Sequence, residues 1–118
     1  MRLRFFAVLL LAPMLGTAGV KAGTQEPTRT IEIHAKRFSF SPSEITLKVG
    51  ETVDLRLVSE DVMHALVVND LDINREVEKG HPVDVIVTPK AAGDFHGQCG
   101  RFCGAGHGSM TFTVHVTD

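Results

Sequence analysis

From Thr30 onward the chain repeats one device: short apolar runs that alternate with polar residues and are cut by turn residues, with no sustained helical period. Val53, Leu55 and Leu57 alternate with Asp54, Arg56 and Val58, the pattern of a strand with one buried face. Ile31 and Ile33 open the series; Ile45, Leu47 and Val49 follow and stop at Gly50-Glu51; Val83 to Thr88 and Phe112 to Val116 complete it. His64 to Val68 is almost continuously apolar and reads as a more central strand. About seven or eight such strands bury their faces by closing two sheets on each other, so the expected architecture is an all-β Greek-key sandwich. A chain of 118 residues has room for one such core.

The N-terminus is read as lying outside that core. Arg2 and Arg4 precede an apolar run from Phe5 to Leu15 and small residues around Ala18 and Ala22. This is the layout of a secretory signal over residues 1–22, with cleavage after either alanine. The stretch from Phe5 to Val20 contains Pro13, Gly16 and Gly19 and is shorter than the roughly 20 residues a spanning helix needs. An uncleaved anchor, with membrane association through the N-terminus, is the alternative. Residues 23–29 are polar and read as a flexible lead-in, which leaves residues 30–118 for the domain. The leader implies a periplasmic or other extracytoplasmic location. Without residues 1–22 the balance is 9 basic against 14 acidic residues, or −5 with histidines neutral. A surface of that sign excludes nucleic acid, which needs a basic face, and permits attraction to a basic partner.

Chemistry concentrates between Cys99 and Met110, where Cys-Gly-Arg-Phe-Cys-Gly-Ala-Gly-His-Gly-Ser-Met puts two thiols, an imidazole and a thioether within twelve residues. Cys99, Cys103, His107 and Met110 would share one face of a helix. Gly100, Gly104, Gly106 and Gly108 argue against it, since at roughly 1 kcal/mol each they would cost a helix on the order of 4 kcal/mol. The segment is therefore a loop that can turn its donors inward. Two cysteines in an exported chain also suit a disulfide, and a lone Met110 or His107 would suit core or surface. A disulfide, however, has no use for a histidine and a methionine placed beside it. Thiolate and thioether are soft donors that suit copper, whereas structural zinc is normally completed by further cysteine or histidine.

At these residues the chain resembles a known family. The spacing Cys-x3-Cys-x3-His-x2-Met, with Gly97-Gln98 before it and Gly104 directly after the second cysteine, is similar to the dinuclear copper A loop of cytochrome c oxidase subunit II and nitrous-oxide reductase. Phe38-Ser39-Phe40-Ser41-Pro42, followed by Glu44 to Gly50, resembles the opening of cupredoxin domains, so the likeness covers most of residues 30–118. It implies a cupredoxin sandwich in which Cys99 and Cys103 bridge two copper ions. His107 and the Arg101 carbonyl would serve one ion; Met110 and an upstream histidine would serve the other. His64 is the histidine to choose, because Ser59-Glu60-Asp61-Val62-Met63-His64 resembles subunit II, whose first histidine ligand follows Asp-Val. Met63, adjoining His64 on an expected strand, should point the opposite way into the core. One or both of Phe38 and Phe40 should be core. His34, His81 and His115 have no second donor nearby and read as solvent-facing or hydrogen-bonded structural residues; His96 reads as surface or as a tuning residue behind the ligands.

The departures from subunit II matter too. A transmembrane hairpin is missing, as are tryptophan and tyrosine, so the aromatic entry patch for cytochrome c is not there. Arg101 stands where subunit II has an acid. These differences favour a free or loosely anchored periplasmic cupredoxin over a complete oxidase subunit. The first expected function is a one-electron carrier with a dinuclear copper centre, working with a c-type cytochrome or a terminal oxidase. Two alternatives use the same donors: copper delivery for oxidase assembly, and a mononuclear blue-copper site of His64, one cysteine, His107 and Met110. Hydrolytic catalysis has no support, as no nucleophile stands with a positioned base, so electron transfer is favoured over a stand-alone enzyme.

Overall fold

A computed structural model describes residues 26–118 together with residues 12, 13 and 16. The expected leader falls almost wholly outside the described residues. Among the described residues no helix is long and apolar enough to cross a membrane.

Nine strands form two sheets. They are β1 (Arg29–Lys36), β2 (Ser39–Ser41), β3 (Glu44–Lys48), β4 (Val53–Ser59), β5 (His64–Val68), β6 (Ile73–Val77), β7 (Val83–Val87), β8 (Gly93–Cys99) and β9 (Thr111–Thr117). One sheet runs β2-β1-β4-β7 and the other β3-β9-β8-β5-β6. Alternation decides which face each strand buries. In β4, Val53, Leu55 and Leu57 are buried and the residues between them half-exposed, so the expected period-two reading holds residue by residue. β5 lies between β8 and β6, and four of its five residues are buried, as its continuous apolar run requires. Phe40 packs edge-on against Phe112, ring centroids 5.8 Å apart, where the two sheets meet.

The sandwich has one or two strands more than expected, and three of the nine carry no alternating apolar run: β2 is only three residues long, β6 is an edge strand, and β8 buries Gly97 and Cys99. In β6 only Ile73 and Val77 are buried, too sparse a pattern to mark a strand. β1 begins at Arg29, and the Thr28 amide donates to Thr52 O at 2.9 Å just ahead of it.

Candidate metal centre

Sheet register gathers the donors before any side chain acts. β5 and β8 pair antiparallel with Leu66 opposite Cys99, and the Gly100 amide donates to Ala65 O at 2.9 Å, which leaves His64 just beyond the end of the β8 ladder. β8 and β9 pair with Gln98 opposite Thr111, and the Cys99 amide donates to Met110 O at 3.0 Å. His64, Cys99 and Met110 thus come from three adjacent strand ends separated by up to 46 residues of sequence, while the intervening loop carries Cys103 and His107 over them. A 3-10 turn, His107–Ser109, tightens that loop, with the His107 amide on Gly104 O at 3.1 Å and the Met110 amide on His107 O at 3.2 Å.

The side chains converge. His64, Cys99 and Cys103 are buried, and their ligand atoms lie within 4.8 Å of one another. Cys99 Sγ is 3.9 Å from His64 Nδ1 and 3.1 Å from Arg101 O. Cys103 Sγ is 3.7 Å from His107 Nδ1 and 3.9 Å from Met110 Sδ. All six expected donors therefore meet at one end of the sandwich. Both cysteines are free thiols. The contacts group Met110 with His107 and Arg101 O with His64, but a sulfur that bridged two ions would touch both groups, so this grouping does not decide which ion each residue would serve.

Electrostatics fits a cation. Burial, and then the neighbouring Cys99, push the Cys103 thiol above its ordinary value. A positive charge placed beside the Cys103 thiol would offset both effects, and a coordinated metal would supply that charge. Asp61 prepares the histidine. Its Oδ1 lies 2.7 Å from His64 Nε2, so with Nε2 as the donor the lone pair is left on Nδ1, which faces Cys99. Burial pushes the Asp61 carboxyl up, but the bonds it receives from the Arg37 amide, the His64 ring and the Val62 amide outweigh burial and hold it down at about 2. Sequence reasoning assigned Asp61 no role beyond its place in the Asp-Val pattern; its spacing of three from His64 was the available signal.

The remaining residues fall as follows. Met63 is not core: β5 starts at His64, so Met63 sits in the preceding loop, half-buried, and lines a cavity of about 330 Å³ with Arg37, Val62, Arg101, Phe102, Cys103 and Gly104. Phe40 is buried, whereas Phe38 is 36% exposed. His34 bonds Glu32 at 2.6 Å and faces Glu60 at 3.1 Å, His115 bonds Asp94 at 2.6 Å, and His96 touches Thr113 at 3.3 Å, all on the outer surface. His81 lies in the turn closed by its amide on Glu78 O at 3.0 Å. The Arg101 side chain pairs with Glu76 at 3.0 Å, leaving its carbonyl to face Cys99.

A two-sheet sandwich with this donor cluster at one end is a cupredoxin, and the chain belongs to the cupredoxin-like family, whose domain model matches residues 5–112. Within that family it is related to cytochrome c oxidase subunit 2. The Thermus thermophilus subunit is 32% identical over 89 residues, covering 75% of this chain and 66% of that protein; the chain thus spans about two thirds or less of the length of the relatives it matches. The fold also matches the crystal structure of the periplasmic domain of subunit II of cytochrome oxidase from Bradyrhizobium japonicum, with a TM-score of 0.73, 17% identity and coverage of 80% of this chain and 87% of that one. Auracyanin A, a "blue" copper protein from Chloroflexus aurantiacus, gives a TM-score of 0.62 at 20% identity, covering 75% of this chain and 98% of the other.

Proposed function

We propose that this domain holds two copper ions in a copper A-type centre and passes single electrons in an extracytoplasmic compartment, as part of or beside a terminal oxidase. Cys99 and Cys103 would bridge the ions, with His64, His107, Met110 and the Arg101 carbonyl completing them. The observation that carries this reading is the pair of buried free thiols, each with its own imidazole Nδ1 within 3.9 Å. A mononuclear blue-copper site needs one thiolate and would leave the second buried and idle. The relatives named as oxidase subunits favour the same choice.

Copper would supply one-electron exchange. The chain's contribution is to fix the donors: Asp61 orients His64, the Cys99–Met110 backbone bond at the β8–β9 ends fixes Cys99 against Met110, and burial of His64, Cys99, Cys103 and Met110 keeps water from them. A c-type cytochrome is the electron donor this reading favours, and the N-terminal leader would deliver the domain to the periplasm or tether it at the membrane. Copper quantification with electron paramagnetic resonance, on protein whose thiols are reduced before copper loading and whose centre is then measured oxidised, tests the reading. Two coppers per chain with one unpaired electron shared between them is expected; one copper with a four-line spectrum would establish the blue-copper alternative.

A further inference from the structure

The turn between β1 and β2, Arg37-Phe38, touches both halves of the site yet supplies no ligand. The Arg37 amide donates to Asp61 Oδ2 at 2.8 Å, and the other Asp61 oxygen holds His64 Nε2 at 2.7 Å. The Arg37 side chain reaches the opposite way, with Nε donating to Cys103 O at 2.8 Å. Beside it the Phe38 ring lies beneath the ligand loop, so that a Cβ at Gly104 would stand 2.8 Å from Phe38 Cε1 and one at Gly106 would collide with the ring. Residues 37 and 38 thus meet the His64 half through Asp61 and the Cys103–His107 half through a carbonyl and two glycines.

The strand ladders do not do this work for Cys103. Cys99 and Met110 are fixed by backbone bonds at the β8 and β9 ends, whereas Cys103 lies four residues beyond β8 in a loop whose backbone amide bonds beyond Gly100 run to its own residues. We infer that the Arg37-Phe38 turn is a clamp that sets the spacing of the two donor groups before metal arrives, with Arg37 as its positioning residue. This rests on the copper reading above. An arginine suits the position because the guanidinium is always charged and presents donors in a fixed plane, so one of them can be held on a carbonyl with little loss of freedom. A charged donor on a partly buried carbonyl is also stronger than a neutral one.

The test compares wild type with Arg37→Met, which keeps the alkyl stem and removes the donors, and with Arg37→Lys, which restores one donor. In the metal-free full chain, Arg37→Met should leave β4 and β9 amides protected as in wild type while the hydrogen-bonded loop amides of His107 and Ser109 exchange roughly 10-fold faster. Loaded with copper ion alone, it should lose metal to a competing chelator roughly 10- to 100-fold more readily. Arg37→Lys should recover part of both losses. Unchanged loop exchange and copper retention in Arg37→Met would overturn the clamp, and so would strand amides that loosen as much as the loop, since that is a general structural role. If wild type itself binds no copper, the functional reading falls while loop exchange in the metal-free chain still decides the clamp.

Discussion

Gly106 offers a clean measurement of how the ligand loop is seated. Its φ of −91° and ψ of 13° are open to alanine, so backbone strain contributes nothing to the cost of Gly106→Ala. What a methyl would meet is the Phe38 ring, at Cδ2 and Cγ as well as Cε2. Cγ is the root of the ring, and spinning the ring in place leaves it where it is; either the whole side chain swings out or the loop lifts. Overpacking of this kind costs about 1–3 kcal/mol, toward the lower end here because Phe38 is already 36% exposed and has solvent to move into. With Phe38→Ala in place the obstruction is gone, and Gly106→Ala should then stabilise by about 0.4–1 kcal/mol through the unfolded chain. The two backgrounds should therefore differ by about 1.5–3 kcal/mol, with a change of sign. Urea midpoints of the reduced, metal-free wild type, two single variants and the double variant measure this, given a shared slope. If Gly106→Ala costs the same in both backgrounds to within about 0.5 kcal/mol, the loop is not seated on Phe38 and the argument fails.

The ligands should differ in how much they matter. Cys99→Ser or Cys103→Ser should abolish the two-copper spectrum, whereas Met110→Leu, a volume-conserving change at a fully buried site costing less than about 1.5 kcal/mol, should retain two coppers and chiefly shift the reduction potential. Away from the site, the bond to Asp94 raises His115 above its ordinary value. Because the folded pKa is the higher one, this contribution to stability is complete below the unfolded histidine pKa of about 6.5 and fades as pH rises through the folded value. Asp94→Asn should flatten that part of the stability–pH curve, and denaturant midpoints from pH 5 to 9 would show no flattening if the pair contributes nothing.

How much of this could be seen in the amino-acid order depends on how local each cause is. Val53, Leu55 and Leu57 announce β4 because burial and strand period coincide there. β8 stays hidden, since the buried places along it fall on Gly97 and Cys99 and glycine carries no hydropathy to count. The donor set was legible as a cluster because four of its side chains lie within twelve residues, and His64 through its resemblance to subunit II. Asp61, Arg37 and Phe38 were not. Arg37 bonds Cys103 across 66 residues, and nothing in its neighbourhood distinguishes it from any exposed arginine after a strand. Freedom to wrap an ion is the one reason for the loop glycines that the sequence offers, and Gly104 and Gly106 have a second that only the folded chain supplies. A core Met63 requires a strand that includes it, and β5 starts one residue later.

On the copper reading, the choice between passing electrons and passing metal turns on which ligands a partner could reach. His64, Cys99, Cys103 and Met110 are buried, and both His64 nitrogens are engaged, Nε2 by Asp61 and Nδ1 by the site. His107 alone among these side chains is half-buried, and beside it stands Phe102, 78% exposed, with ring centroids 5.8 Å apart. A copper acceptor has to replace ligands one at a time, and after His107 it would face Cys103, whose carbonyl Arg37 holds, and then Cys99 and Met110, fixed by the Cys99–Met110 and Gly100–Ala65 backbone bonds. Releasing them means opening the ends of β8 and β9, which couples metal loss to local unfolding of the sandwich. An electron needs no such opening. It needs ligands that stay in place when the charge changes and an edge of the site near the surface, and a rim of one imidazole and one exposed phenyl over a fixed set of sulfurs meets both requirements.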